Sequence, residues 1–383
     1  MIYLDNGATS FHKPQGVYRR VLGAMRTCAN PGRGGYGPAM AAARTVYGCR
    51  EAAAGLFDCQ PEQVVLTTSC THGLNIAIRS LVKPGSRVVI SGFEHNAVTR
   101  PLYGLGARVT VAGRKLFDWE DTLSRFEDAL RQGAACAIFT HVSNVFGYIL
   151  PAPELAALCR QYGVPFIVDA AQSAGTLPVS LKKLGADFIA MPGHKGLLGP
   201  QGTGLLLCAG TAEPLLWGGT GRASLCQRMP DTLPDRLEPG TLNVPGYAGL
   251  AEGIRFLERV GMDTVAGREH YQMQRCAAGL KKLGMQVFSG PHQAGTVSFL
   301  PGMDCEEAAR ILARQGIAVR AGLHCAPCAH ESAGTLATGT VRVSFGYDTH
   351  SGETDALLHA ASKFLRQPHR IRQAQPGNAP DPG

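Results

Sequence analysis

The residue best suited to covalent chemistry is a lysine in the loop Met191-Pro192-Gly193-His194-Lys195-Gly196-Leu197-Leu198-Gly199-Pro200. An apolar run, Asp187 to Met191, leads into this loop. A second glycine-rich turn leads out of it to another apolar run, Thr203 to Cys208. An ammonium held between two buried strands is costly to desolvate. Burial therefore lowers its pKa and leaves a nucleophilic amine able to form a Schiff base. A lysine in a polar surface loop is the plain alternative, so the lysine needs partners elsewhere in the chain.

The run Pro165-Phe166-Ile167-Val168 delivers one, Asp169, followed by Ala170-Ala171-Gln172. An acid after four apolar residues needs a cation. A protonated pyridine ring would serve, and that ring is the electron sink of pyridoxal chemistry. Asp169 as a simple helix cap would leave Gln172 and Lys195 unexplained. Thr67-Thr68-Ser69-Cys70-Thr71-His72-Gly73 follows another apolar run and opens a helix, where hydroxyls and backbone N–H groups suit a phosphate. Its plain reading is N-capping by Ser69 or Thr71. Glu94-His95-Asn96 and His141-Val142-Ser143-Asn144-Val145-Phe146-Gly147 follow two further runs.

These groups need a scaffold, and the pattern supplies one. Strand-like runs occur at Gln63–Thr67, Ser86–Ser91, Ala107–Ala112, Cys136–Val142, Pro165–Asp169, Asp187–Met191 and Thr203–Cys208. Helical patterns such as Trp119–Gln132 and Pro153–Tyr162 lie between several of them. Seven apolar runs with helical crossovers predict an α/β fold with a mostly parallel sheet covered on both faces. Ligands of such sheets bind beyond the strand C-termini, where the residues above fall. Before them, residues 1–15 read as an extended arm, and the helix Ala39–Phe57 follows a glycine-rich loop. That loop holds a literal G-x-G-x-x-G, Gly32 to Gly37, but no strand precedes it, so a dinucleotide site is rejected.

After about residue 250 long helices (Ala248–Val260, Val265–Leu283, Cys305–Gln315) alternate with short strands (Met285–Ser289, Gly295–Leu300, Ala318–Arg320, Thr340–Phe345). A helix near Glu353–Leu365 closes this part. The expected organisation is an arm (1–15), a large domain (16–250), a small α+β domain (251–366) and a Pro-, Gln- and Gly-rich disordered tail (367–383).

The totals exclude several functions. With 383 residues, 45% hydrophobic and 17% charged, the chain is ordinary for a globular protein of two domains. A net charge of +8 without a dense basic stripe suits a phosphate or carboxylate ligand rather than nucleic acid. No apolar run reaches membrane-spanning length, and the first residues lack a signal-peptide pattern. The 12 cysteines show no small-scaffold rhythm and read as reduced cytoplasmic thiols.

Taken in order, these segments resemble the cysteine desulfurase and selenocysteine lyase branch of the class-V aminotransferase-like enzymes, over residues 1 to about 366. The resemblance implies the type I pyridoxal-phosphate fold, a homodimer with sites near its interface, and L-cysteine or L-selenocysteine as substrate. Lys195 would hold the cofactor covalently. Asp169 would pair with the ring nitrogen and Gln172 with the ring hydroxyl. His95 would stack on the ring and shuttle protons, and Asn144 would lie near the ring hydroxyl and substrate. Thr71 and His194 would contact the phosphate, and Thr241 in Glu238-Pro239-Gly240-Thr241-Leu242-Asn243 would reach the phosphate of the other subunit. Arg342, with Arg320 nearby, would bind the substrate carboxylate, a task planar guanidinium forks perform bidentately. Either arginine alone would read as a surface ion pair. Cys325 matches the family's sulfur-accepting cysteine, implying a persulfide passed to an acceptor protein.

Three positions depart from the pattern. Pro192 replaces a serine that usually touches the phosphate. Leu323 replaces a histidine common before the His-Cys pair. Cys328 creates Cys325-Ala326-Pro327-Cys328, flanked by His324 and His330. Four potential ligands within seven residues make a poor zinc site, so no metal is expected. Cys328 is either a bystander or a thiol that resolves a Cys325 persulfide to a disulfide. Selenocysteine lyase and a silent scaffold of the same fold stand as the alternative functions. The intact set Lys195, Asp169, His95 and Cys325 argues against the scaffold.

Overall fold

A computed structural model describes residues 1–364 apart from 33, 222 and 223. The expected disordered tail, Leu365 of the closing helix and Arg33 of the glycine loop lie outside these described residues.

The strands, in chain order, are β1 (Ile2–Tyr3), β2 (Val64–Thr67), β3 (Arg87–Ser91), β4 (Arg108–Ala112), β5 (Cys136–Thr140), β6 (Phe166–Asp169), β7 (Phe188–Pro192), β8 (Gly204–Cys208), β9 (Gln286–Phe288), β10 (Thr296–Leu300), β11 (Ile317–Ala318), β12 (Arg320–Gly322) and β13 (Thr340–Ser344). Strands β2 to β8 form one sheet in the order β2-β8-β7-β6-β5-β3-β4. Only β8 runs against the others, pairing antiparallel with both β2 and β7. The seven expected runs are therefore the seven strands of this sheet, with ends shifted by one or two residues.

The sheet is covered on both faces, and side-chain alternation along each strand shows it. Val64, Leu66, Val89, Phe139, Val168, Ile189 and Leu207 enter one core. Val65, Val88, Ile90, Ile138, Ile167, Phe188 and Leu206 enter the other. The helices Gly37–Phe57, Trp119–Arg131, Ala152–Gln161 and Val244–Val260 pack on the first face, and Cys70–Leu81 and Asn96–Gly104 on the second. Each fully buried Leu, Ile or Phe stabilises this arrangement by roughly 1.5–3 kcal/mol.

Strands β12-β13-β10-β9 form a second, antiparallel sheet with its own core of Val297, Phe299, Leu312, Val341, Val343 and Leu357. The arm is stitched to this part: β1 pairs parallel with β11, and Asp5 bridges to Ser344. The single strand expected at Ala318–Arg320 is in fact two. Ile317–Ala318 pairs with β1 and Arg320–Gly322 with β13, because the chain changes partner at Val319. The sequence reading gave no element for the stretch that forms the helix Gln15–Thr27. Its cap residue, Pro14, makes no side-chain cap bond, and Val17 and Ala24 are its buried residues. No described helix is long and apolar enough to cross a membrane.

Candidate active site

Lys195 is held by close backbone packing. Strand β7 ends at Pro192, and the following loop presses against the loop after β6. A Cβ on Gly175 would collide with the Gly196 carbonyl, and one on Gly196 with the Ala174 carbonyl. Gly175 also has φ +93°, open only to glycine. From the other side the arm clamps the loop. The His194 carbonyl accepts from Thr9 Oγ1 (3.1 Å), Ser10 Oγ (3.1 Å) and Lys13 Nζ (2.9 Å). Lys195 Nζ itself has no hydrogen-bond or ion-pair partner among the described residues. Burial first, and then the Arg342 charge, lower its pKa from 10.5 to about 8.

Asp169, at the end of β6, is buried. Its Oδ1 accepts from Ala171 N (2.9 Å) and from the Cys70 thiol (3.5 Å). Its Oδ2 has no partner among the described residues. Desolvation raises the pKa of this acid, and the Ala171 bond and the Lys195 charge offset only part of that. The helix Cys70–Leu81 points its N-terminus at the same place. Ser69 Oγ caps it by accepting from His72 N (3.1 Å), which leaves first-turn N–H groups free for an anion. His95 caps the helix Asn96–Gly104, its Nδ1 accepting from Ala97 N at 3.0 Å. That bond fixes the tautomer, so a neutral His95 carries its proton on Nε2. Burial and the nearby Lys195 keep it neutral, lowering its pKa to about 4. His194 is held neutral likewise, at about 4.

Thr71, His95, Asn144, Asp169, Gln172, His194 and Lys195 line one cavity of about 120 Å³, together with Pro192. A larger cavity of about 330 Å³ lies under the arm and shares only Val142, Ala171, Gln172 and Lys195 with it. The smaller one holds the acid, the lysine and the helix end, so it is the site. Gln172 Nε2 donates to the Gly7 carbonyl (3.1 Å), so the arm orients this amide.

The remaining predicted residues stand at or beyond the rim. Arg320 and Arg342 face each other across β12 and β13. Arg342 is fully buried. Its guanidinium donates to Asp5 Oδ1 (2.5 Å) and to the Asn144 carbonyl (2.9 Å), while its Nε is unpaired. The carboxylate partner of Arg342 in this chain is thus its own Asp5, which the sequence reading overlooked. Arg320 lies 3.8 Å from the exposed Cys325 thiol. The Cys325 loop is anchored to the cavity walls through two carbonyls. That of His324 accepts from Asn144 Nδ2 (2.8 Å), and that of Cys325 from Asn96 N (2.7 Å). His324 (φ +52°) and Cys325 (φ +56°) are both left-handed, at a cost of about 1–2 kcal/mol each. Thr241 is exposed and does not line this cavity.

Cys328 lies in the short helix Pro327–Ser332, half-buried. Burial, then Glu94 and Glu331, raise its thiol pKa. No group of three or more metal-ligating side chains occurs among the described residues.

The donor set fits a pyridoxal phosphate. The free Asp169 oxygen suits a ring cation, the poised amine suits an aldehyde, and the helix N-terminus suits a phosphate.

The fold and this site define a protein of the class-V aminotransferase type. The model of that family, aminotransferase class-V, matches residues 2–357. The chain belongs to this family, among its cysteine desulfurase-like members. A probable cysteine desulfurase of Methanothermobacter thermautotrophicus is 32% identical over 372 residues, covering 93% of this chain and 92% of the relative. One from Pyrococcus abyssi is 32% identical, covering 96% and 94%. The solved apo structure of a cysteine desulfurase from Thermococcus onnurineus superposes with a TM-score of 0.87 at 32% identity, covering 95% of this chain and 94% of that one.

Proposed function

We propose that this protein is a pyridoxal-phosphate-dependent cysteine desulfurase that converts L-cysteine to L-alanine and takes the sulfur onto Cys325. The observation that carries the reading is one cavity shared by an unpaired lysine and a buried, half-satisfied aspartate, with a free thiol loop tied to its walls. Lys195 would hold the cofactor covalently, Asp169 its ring nitrogen, and Gln172 and Asn144 its ring hydroxyl. Thr71, His194 and the helix N-terminus would hold its phosphate. When bound, pyridoxal phosphate supplies an electron sink for the charge left at the substrate α-carbon.

The chain's own residues do the rest. Arg342 and Arg320 bind and orient the substrate carboxylate, and Asp5 sets the direction of the Arg342 fork. Once its Nζ is free again, Lys195, with a pKa lowered to about 8, would take the α-proton there. His95, its Nε2–H facing away from the Ala97 bond, would hold a proton for the cofactor site. Cys325 Sγ accepts the substrate sulfur, leaving alanine and a persulfide that a partner protein then collects.

Thr241, exposed and outside the cavity, serves the phosphate of a second copy in a homodimer. A division at residue 250 would give a cofactor-binding domain (16–250) and a smaller one over the described residues from 251 to 364, with the helix Val244–Val260 packed as a whole on the large sheet. Twelve free cysteines support a reducing, cytoplasmic setting.

The test is to reconstitute the protein, supply cysteine or selenocysteine, and measure alanine and the mass of the peptide around residue 325. Alanine with a persulfide on Cys325 is expected, with a yellow protein that loses its colour in Lys195→Ala. A colourless protein that makes no alanine from either substrate overturns the reading. Alanine from selenocysteine alone would make it a selenocysteine lyase.

A further inference from the structure

Behind the Cys325 loop lies a buried polar chain that the proposed reaction does not use. His324, His330 and Thr335 are all buried, and the two imidazoles stack at 5.6 Å and 11°. Their hydrogen bonds have one consistent direction, set at one end by a backbone carbonyl. The Arg320 carbonyl can only accept, so His324 Nε2–H donates to it at 3.3 Å. A neutral His324 then offers Nδ1 as an acceptor, and His330 Nε2 faces it at 3.4 Å, so His330 Nε2–H is the donor. That leaves His330 Nδ1 as an acceptor for Thr335 Oγ1–H at 2.7 Å. Burial keeps both rings neutral, lowering His324 to about 2 and His330 to about 4, so the direction holds throughout the working range.

The chain ends where the loop is strained. His324 and Cys325 are consecutive left-handed residues, a conformation that non-glycine residues keep only when their surroundings impose it. The His324 ring is tied inward by this chain, and the His324 and Cys325 carbonyls are tied to Asn144 and Asn96. Phe146, two residues after Asn144, packs on the His330 ring at 5.8 Å.

We propose that His330 is a positioning residue for the sulfur-accepting thiol: through His324 it holds the Leu323–Ala326 turn, and with it Cys325, against the walls of the active-site cavity. The inference rests on the reading of Cys325 as the sulfur acceptor. His330 touches neither substrate nor cofactor. It would act on the transfer step, which needs Sγ in place, and leave substrate binding by the arginines unaffected.

The test compares His330→Leu, which removes both ring bonds, with His330→Gln, which keeps an N–H donor for His324. Two measurements are made on the cofactor-loaded protein. One is the rate of Cys325 alkylation by iodoacetamide, read by peptide mass. The other is the kcat and KM for alanine release. His330→Leu is expected to alkylate several-fold faster and to lose about tenfold in kcat, the scale of one to two neutral hydrogen bonds, with KM for cysteine little changed. His330→Gln is expected to recover most of both. Unchanged alkylation and kcat in His330→Leu, or a His330→Gln variant no better than His330→Leu, overturns the proposal. Should His330→Leu fail to fold, Thr335→Val is measured the same way and must show a smaller change in the same direction. Alkylation needs no turnover. A wild-type protein that makes no alanine would therefore sink the desulfurase reading, while the alkylation comparison still decides the role of His330.

Discussion

Replacing Lys195 by methionine should make the cofactor-free protein more stable at neutral pH. The fold holds the Lys195 ammonium at an electrostatic cost. Its pKa falls from 10.5 to about 8, chiefly by burial, and no carboxylate among the described residues forms an ion pair with it. At about 1.4 kcal/mol per pH unit, this corresponds to roughly 3 kcal/mol. The cavity that Lys195 lines lets the ammonium relax in part, so about 2 kcal/mol is expected. For a base whose folded pKa is depressed, the penalty is complete below the folded value. It fades as pH rises from 8 to 10.5 and vanishes above. Methionine keeps the unbranched length without the charge. Urea midpoints of both cofactor-free proteins, compared from pH 7 to pH 10.5, supply the measurement. The variant should lead by about 2 kcal/mol at pH 7, and the lead should shrink steadily toward the alkaline end. Equal midpoints at pH 7, or a lead that does not narrow, would refute the argument that burial depresses this amine. The same depression gives the amine its use: at pH 7 the neutral fraction is a few hundred times that of an ordinary lysine.

Three further outcomes follow from the geometry. Asp5→Asn leaves the fully buried Arg342 without its counter-ion and should cost about 2–4 kcal/mol, read as a lower denaturant midpoint that the same change in an Arg342→Met background does not reproduce. Glu238→Gln breaks a buried, two-pronged pair with Arg50 and weakens the bond from Leu66 N (2.6 Å). A loss of about 3 kcal/mol is expected, and a thermal midpoint matching wild type would contradict it. The raised pKa of Cys328 makes it a poor attacking thiolate. Mass spectrometry after turnover should show a persulfide at Cys325 without a 325–328 disulfide, and Cys328→Ser should form alanine at the wild-type rate.

The large sheet was legible because most of its strands, buried on both faces, are written as near-continuous apolar runs, while the edge strand β4 is partly exposed. The residues just past those runs then had to be the site, and seven of them line one cavity. What escaped notice was set by contacts distant in sequence. Asp5 lies in a polar arm segment, and only the pairing of β1 with β11 and the bridge to Ser344 bring it to Arg342. His330 could be seen only as a possible metal ligand, since nothing local says that its ring faces His324 and Thr335. The helix Gln15–Thr27 was missed although Val17, Val21 and Ala24 recur at helical spacing, because neither a capping side chain nor an acidic first turn marks its start. The strand expected at Ala318–Arg320 was divided because a local pattern cannot reveal a change of partner strand.

The first ten residues touch both halves of the chemistry. Asp5 grips the arginine of β13, the Gly7 carbonyl steers Gln172, and Thr9 and Ser10 pin the peptide before Lys195. This leading segment therefore works as a tie-rod. If the antiparallel sheet shifts relative to the seven-stranded one, the displacement reaches the lysine loop and the guanidinium together.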